Sequence, residues 1–315
     1  MQKTRRKIVD TSTSISKGGR ADRYAKTHRV RKISNTRLTN TTKAPEDINP
    51  YEIVAEYNLK GFEFGNWLSN DERYDNLIAA NESLMFLSHL FKSQNIGFNS
   101  MIGIAFGARG IRGAAAHYEP QSNMINLTKV NGAGSLAHEY GHAIDYCFGR
   151  YIDQHPSFSA LSGGSVSGRK PLTDNVNSSL RAMVNEIVDY PFLLGRKWTG
   201  YWGERTEVFA RLFDEYVAHK LDQAKTKNFY LAKPLSFYYS ESVFLNKEEF
   251  KPLISKFNAL IKLMGTILNS KGKVQMPRVP YPLPKAAASP TSPKTSNTKT
   301  TGNNKRKQPV QTTLF

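Results

Sequence analysis

The stretch "GAGSLAHEYGHAIDYCFG", Gly132 to Gly149, decides how the chain is read. His138 and His142 stand four residues apart, and Glu139 follows the first of them. On a helix of about 3.6 residues per turn, positions i and i+4 lie on one face, one turn apart. Two imidazoles so spaced can bind one cation from a single rigid element. Glu139 is turned by about 100°, so it flanks the cation and can take a proton from water there. This is the physical content of the H-E-x-x-H pattern, here with zinc as the expected ion. Gly141, lacking a side chain, leaves room beside the metal. The competing reading is a buried helix whose histidines are satisfied by ordinary hydrogen bonds. Asp145 follows His142 by three residues and lies on the same face. It either accepts a ring N–H from a ligand histidine, fixing its tautomer, or is a helix-surface acid or cap partner.

A hydrolytic zinc needs three protein ligands and one open position. His155 precedes Pro156 in a polar loop, and His219 lies roughly 120° around its helix from Glu207, so neither suits. "ERTEVFARLFDEYV" offers carboxylates instead: Glu204, Glu207, Asp214 and Glu215. Glu207 opens the second turn of that helix, and Arg211 at i+4 is able to orient it. A plain surface ion pair between the two is the alternative.

Around this motif the chain divides into three. The formal charge is +18, yet residues 1–45 carry +11 and residues 271–315 carry +9, leaving −2 for residues 46–270. Both ends are rich in Ser, Thr, Lys and Arg, the second also in Pro, and are poor in large apolar residues. They are expected to be disordered basic arms. The middle is long enough for one substantial core. Within it, Asp71 to Phe91 has helical periodicity and Met101 to Phe106 reads as a short strand. "AAAHYEP" and "NMINLT", separated by "PQSN", read as a hairpin. Either of its strands, "AAHYE" or "MINLT", can serve as an edge that holds an extended substrate. The motif helix follows, with Ser135 as its cap and Gly149 as its end. Further helices are expected before Pro191, over Gly203 to Leu221, and from about Pro252 onward. Short strands followed mostly by helices, without βαβ alternation, point to an α+β fold.

Five blocks in order carry a resemblance to a known family: "GFEFGNWLSNDERYDNLIAANESL", "GIAFGARG", "AAAHYEP", "INLTKVNGAGSLAHEYGHAIDY" and "TEVFARLFDEYV". Together they resemble the first type of large polyvalent-protein-associated domain, a zincin-like domain of phage and conjugative-element proteins. The resemblance runs roughly from Gly61 to Met264. It implies a zincin-like metallopeptidase core, His138 and His142 as ligands, Glu139 as general base, and Glu207 as third ligand. Tyr140, Arg205 and Asp214 depart from the family's usual tryptophan, proline and glutamate; none is a proposed ligand. His117 and Tyr118, in the A-H-Y-E-P block, are structural or line the cleft.

The chain closes on "QTTLF", which resembles the bacterial sliding-clamp-binding pentapeptide. Gln311 would make the polar contact, and Leu314 and Phe315 would enter an apolar pocket. Basic arms most often meet nucleic acid, because neutralising phosphates releases counterions whatever the base sequence; solubilising tails are the bland alternative. No apolar run marks a secretory signal or a membrane span. The single cysteine, Cys147, excludes an internal disulfide and fits the cytoplasm of a bacterial host. The expected function is a zinc-dependent endopeptidase acting on a protein or peptide substrate near DNA, its oxyanion held by Tyr201, Trp202 or the hairpin. The alternative is a non-catalytic zinc-binding accessory protein.

Overall fold

Phe62, Phe64, Ile104, Phe106, Ile125 and Leu127 are buried and alternate with smaller or polar residues, and this alternation builds a sheet with one strongly apolar face. The computed structural model describes residues 48–66, 68–109, 114–129, 132–153, 160–163 and 179–270. The two basic arms, and with them Gln311, Leu314 and Phe315, lie outside the described residues, as does His155. In chain order the elements are α1 (Pro50–Glu56), β1 (Gly61–Phe64), α2 (Asn70–Phe91), β2 (Gly103–Phe106), β3 (Ala116–Glu119), β4 (Met124–Leu127), α3 (Leu136–Asp153), α4 (Ser179–Leu193), a 3-10 turn (Gly200–Gly203), α5 (Arg205–Gln223), α6 (Leu235–Ser240) and α7 (Lys247–Leu268). The described residues thus form a mixed α+β fold of seven helices and one four-stranded sheet.

The strand order is β1-β2-β4-β3. β1 pairs parallel with β2, and β2 parallel with β4, while β3 runs antiparallel to β4 with His117 opposite Asn126. The expected hairpin is therefore present. Of its two strands only β3 lies at an edge; "MINLT" is enclosed between β2 and β3. The expectation of no βαβ alternation is corrected: β1, α2 and β2 form one such unit. Parallel strands cannot be joined by a tight turn, and α2 is the crossover. β1 has only four residues, "GFEF", too few to carry a period.

Several helix boundaries also move. Gly149 does not end the motif helix, which continues to Asp153. Pro191 lies inside α4, which runs on to Leu193. α7 starts at Lys247, well before Pro252, because Asn246 and Glu249 form a reciprocal capping box there. The α2 helix starts on a second such box, Ser69 with Glu72. Gly265 lets α7 cross the end of α2, since a Cβ there would lie 1.9 Å from the Phe91 carbonyl oxygen.

The central element is α5, buried on all sides from Glu207 to His219. A helix buried all round belongs to the core, yet this one carries Glu207, Arg211, Asp214 and Glu215 inside. Burial pushes the Glu215 carboxyl up to about 9, the Leu245 N–H opposing and Asp214 and Glu249 adding repulsion. The folded protein therefore holds a proton that the unfolded chain releases above about pH 4.5. Stability from this group is fully present below that pH and is lost as pH rises towards about 9. Glu215→Gln, which cannot ionise, is expected to flatten that decline. Its thermal midpoint at pH 9 should exceed that of the wild type by about 2–4 °C or more. Identical pH profiles for the two proteins would contradict this assignment.

Candidate metal centre

Helices α3 and α5 cross where Gly141 meets Ala210. A Cβ on Gly141 would lie 3.1 Å from the Ala210 Cα and 3.3 Å from a Phe213 ring carbon. Gly141 thus makes room for the backbone of α5 rather than for a metal, as the sequence suggested. This close approach sets the first turn of α5 against the histidine face of α3. His142 Nε2 lies 3.2 Å from Glu207 Oε1, and His138 Nε2 lies 3.5 Å from Glu207 Oε2. The two imidazoles stand nearly perpendicular, at 84°, with centroids 4.9 Å apart. One donor atom from each of His138, His142 and Glu207 falls within 4.8 Å of the others. Glu207 lies in the first turn of α5, not its second, where the helix dipole favours a carboxylate.

Glu207 has one buried oxygen, Oε2, without a hydrogen-bond partner. An isolated ion pair leaves that atom unsatisfied, whereas a cation held by all three side chains uses it. The N, N, O donor set is that of hydrolytic zinc sites. The residues therefore fit such an ion.

The electrostatics follow from burial and charge together. Burial works to raise Glu207, but the charge of His142 and the close approach of both imidazoles hold it well below the usual carboxylate range. Burial works to lower His142, and Glu207 outweighs it, lifting the imidazole to about 9. Glu139 is only 5% exposed, and burial raises its pKa against the attraction of His138 and His142. A carboxylate so raised is a better proton acceptor near neutral pH. Glu139 also accepts a main-chain hydrogen bond from Tyr118 of β3. The edge strand therefore runs beside it.

The supporting residues act differently from expectation. Asp145 is fully buried, not a surface acid. Its two oxygens accept the Ser162 N–H and Oγ–H, each at 2.7 Å, while its charge helps raise His142. Arg205 then holds the Ser162 carbonyl at 2.6 Å and reaches Asp189 and Asn185 on α4. Asp145, Ser162 and Arg205 so tie α3 to the start of α5, which accounts for an arginine at that position.

Arg211 forms no carboxylate pair with Glu207, as its i+4 spacing suggested. Its Nε donates to the Glu207 carbonyl at 3.3 Å, and its other nitrogens donate to the Val243 and Trp202 carbonyls. The guanidinium carbon lies 4.5 Å from the Trp198 ring centre and 5.3 Å from that of Trp202. It fixes the backbone around Glu207 from below. Trp202 is thereby committed to packing, whereas Tyr201 reaches the Glu207 carboxylate by hydrogen bond. Of the two aromatic side chains, Tyr201 is the one beside Glu207.

Tyr118 faces α3, its ring 5.9 Å from that of Tyr146, so His117, the next residue along β3, faces the other side of the sheet. His219 stacks on Phe250 at 4.9 Å and contacts the Tyr239 hydroxyl at 3.1 Å, away from the site. The spacing of "HEYGH" and the carboxylates of "ERTEVF" were legible in the sequence. The roles of Ser162 and Arg205 were not, because nothing in their local pattern marks them.

Among the described residues no helix is long and apolar enough to cross a membrane. The family model described as Large polyvalent protein-associated domain 1 matches residues 194–268. That segment carries Glu207 and Arg211 and begins downstream of the histidine motif. No curated protein and no solved structure matches the chain. The match therefore covers α5 to α7, Glu207 included, and leaves the histidines of α3 outside it.

Proposed function

We propose that the protein is a zinc-dependent endopeptidase of a phage or mobile element that works close to DNA. The observation that carries this reading is the convergence of His138, His142 and Glu207, with ligand atoms within 4.8 Å, beside a buried glutamate on the same helix as the histidines. His138, His142 and Glu207 would hold the ion. Zinc bound there supplies Lewis acidity, polarising a scissile carbonyl and lowering the pKa of water. Glu139 takes the proton that the attacking water loses and returns it to the leaving amine. β3, at the edge of the described sheet, pairs with an extended peptide through main-chain hydrogen bonds. Tyr201 is the donor nearest to the developing oxyanion.

The basic segments 1–45 and 271–315 bring the domain to DNA without base specificity. "QTTLF", through Gln311, Leu314 and Phe315, docks on a sliding clamp. The zincin-like core supplies the chemistry, and the segments supply the place.

The test is metal removal. Purified protein should contain zinc and cleave a denatured protein such as casein, with DNA present in a parallel arm. A strong chelator should stop cleavage, and added zinc should restore it. Zinc retained without cleavage in any arm would favour the non-catalytic accessory protein, and cleavage that survives complete zinc removal would exclude the mechanism.

A further inference from the structure

Asp214 is 5% exposed and sits seven residues after Glu207 on α5. Its Oδ1 is buried and has no hydrogen-bond partner. A buried acceptor left unpaired is destabilising, so its direction matters. The contacts between the two helices give it. His142 meets Glu207, Gly141 meets Ala210, and Tyr140 packs on Phe213 with ring centres 6.3 Å apart. Numbers fall along α3 as they rise along α5, so the helices run antiparallel here. One turn further along this crossing, three residues back from Gly141 and four on from Ala210, lie His138 and Asp214. Consistent with this, His138 is the charge that most favours ionised Asp214 against its burial.

The other oxygen of Asp214 is accounted for. Tyr238 is fully buried, and its hydroxyl accepts the Lys233 main-chain N–H at 3.2 Å. Its single proton is then free for Asp214, with which it is hydrogen-bonded. This arrangement fixes the carboxylate's rotation. His138 turns Nε2 toward Glu207, leaving Nδ1 as the ring atom able to meet Asp214.

We propose that Asp214 is the positioning residue of the metal centre: when the ion is bound, its unpaired Oδ1 accepts the Nδ1–H of His138 and so keeps Nε2 unprotonated for the ion. A ligand imidazole almost always donates its second N–H to such a partner, which sets its tautomer and raises its basicity. Asp145 was the candidate from the sequence, but Ser162 takes both of its oxygens. The Lys233 amide, Tyr238, Asp214 and His138 form a chain reaching from the start of α6 to the metal face of α3. This inference rests on the zinc reading above.

The test is Asp214→Asn in the full chain, with zinc affinity measured by competition against a chromogenic chelator. The amide keeps the shape, but with Tyr238 donating to its oxygen it turns an NH2 toward His138. That group requires an unprotonated Nδ1 and so drives the ring to the wrong tautomer. Zinc affinity should fall about 10–100-fold. The zinc-free variant should melt no lower than the wild type, since it loses only a buried acid. In the zinc-loaded wild type, nitrogen-15 NMR should show the His138 Nδ1 proton hydrogen-bonded and shifted downfield, and the variant should lose that signature. Asp214→Glu should recover part of the affinity. Wild-type affinity and an unchanged Nδ1 signal in Asp214→Asn would overturn the inference while leaving the zinc site intact. A wild-type protein that takes up no zinc would remove the metal reading itself, and this inference with it.

Discussion

Glu139→Gln is expected to lower the cleavage rate by about 10²–10⁴-fold while the zinc content stays at the wild-type value. Glutamine has the size of glutamate and can still accept the Tyr118 main-chain hydrogen bond. It cannot hold the proton that the attacking water loses. The side chain is turned away from the metal face of α3 by the helical offset, so the ligands His138, His142 and Glu207 are untouched. The raised pKa of Glu139 gives the same argument a pH dependence. Activity governed by its ionisation appears as pH rises through that raised value and is lost below it. Equal rates for Glu139→Gln and wild type would remove Glu139 from the chemistry. Loss of zinc in the variant would instead make it part of the ligand set.

Glu207→Gln is expected to release the zinc. Removing a first-contact ligand should cost more than the roughly 10–100-fold that outer partners contribute. The neutral amide oxygen is a weak donor to zinc and leaves the two imidazoles as the strong ligands, one short of the three such a site needs. In the zinc-free proteins, His142 should also fall from about 9 toward its ordinary value, because Glu207 is what outweighs its burial. Chelator competition measures the affinity, and a proton titration of His142 by NMR measures the second effect. A variant that holds zinc as tightly as wild type would move the third ligand to another residue.

The two histidines and their glutamate were legible from spacing alone, because i and i+4 on a helix fix their relation without tertiary help. The carboxylate of Glu207 could be placed on a helix but not brought to the histidines. That step depends on Gly141, whose missing Cβ sets how closely α3 and α5 approach, and a close crossing leaves no periodic trace. The same limit explains Asp145 and Arg211. Both lay at helical spacings that suggested partners on their own helix. The structure gives their charged groups partners distant in sequence, Ser162 for the one and the Val243 carbonyl for the other, with Glu207 meeting Arg211 only through its main-chain carbonyl. Asp214 was visible only as one of four acids in "ERTEVFARLFDEYV"; its distinction comes from Tyr238, more than twenty residues away in sequence. The α+β character was readable, while β1 escaped because four residues give no period and the strand closes only through the α2 crossover.

The most direct measurement of the central claim is X-ray absorption at the zinc edge on the purified full chain, with zinc content measured on the same sample. The account predicts about one zinc per chain, with two imidazole nitrogens and a carboxylate oxygen at about 2.0–2.2 Å and no sulfur. A protein that binds no zinc, or one whose zinc carries a sulfur or lacks the imidazole pair, would contradict it.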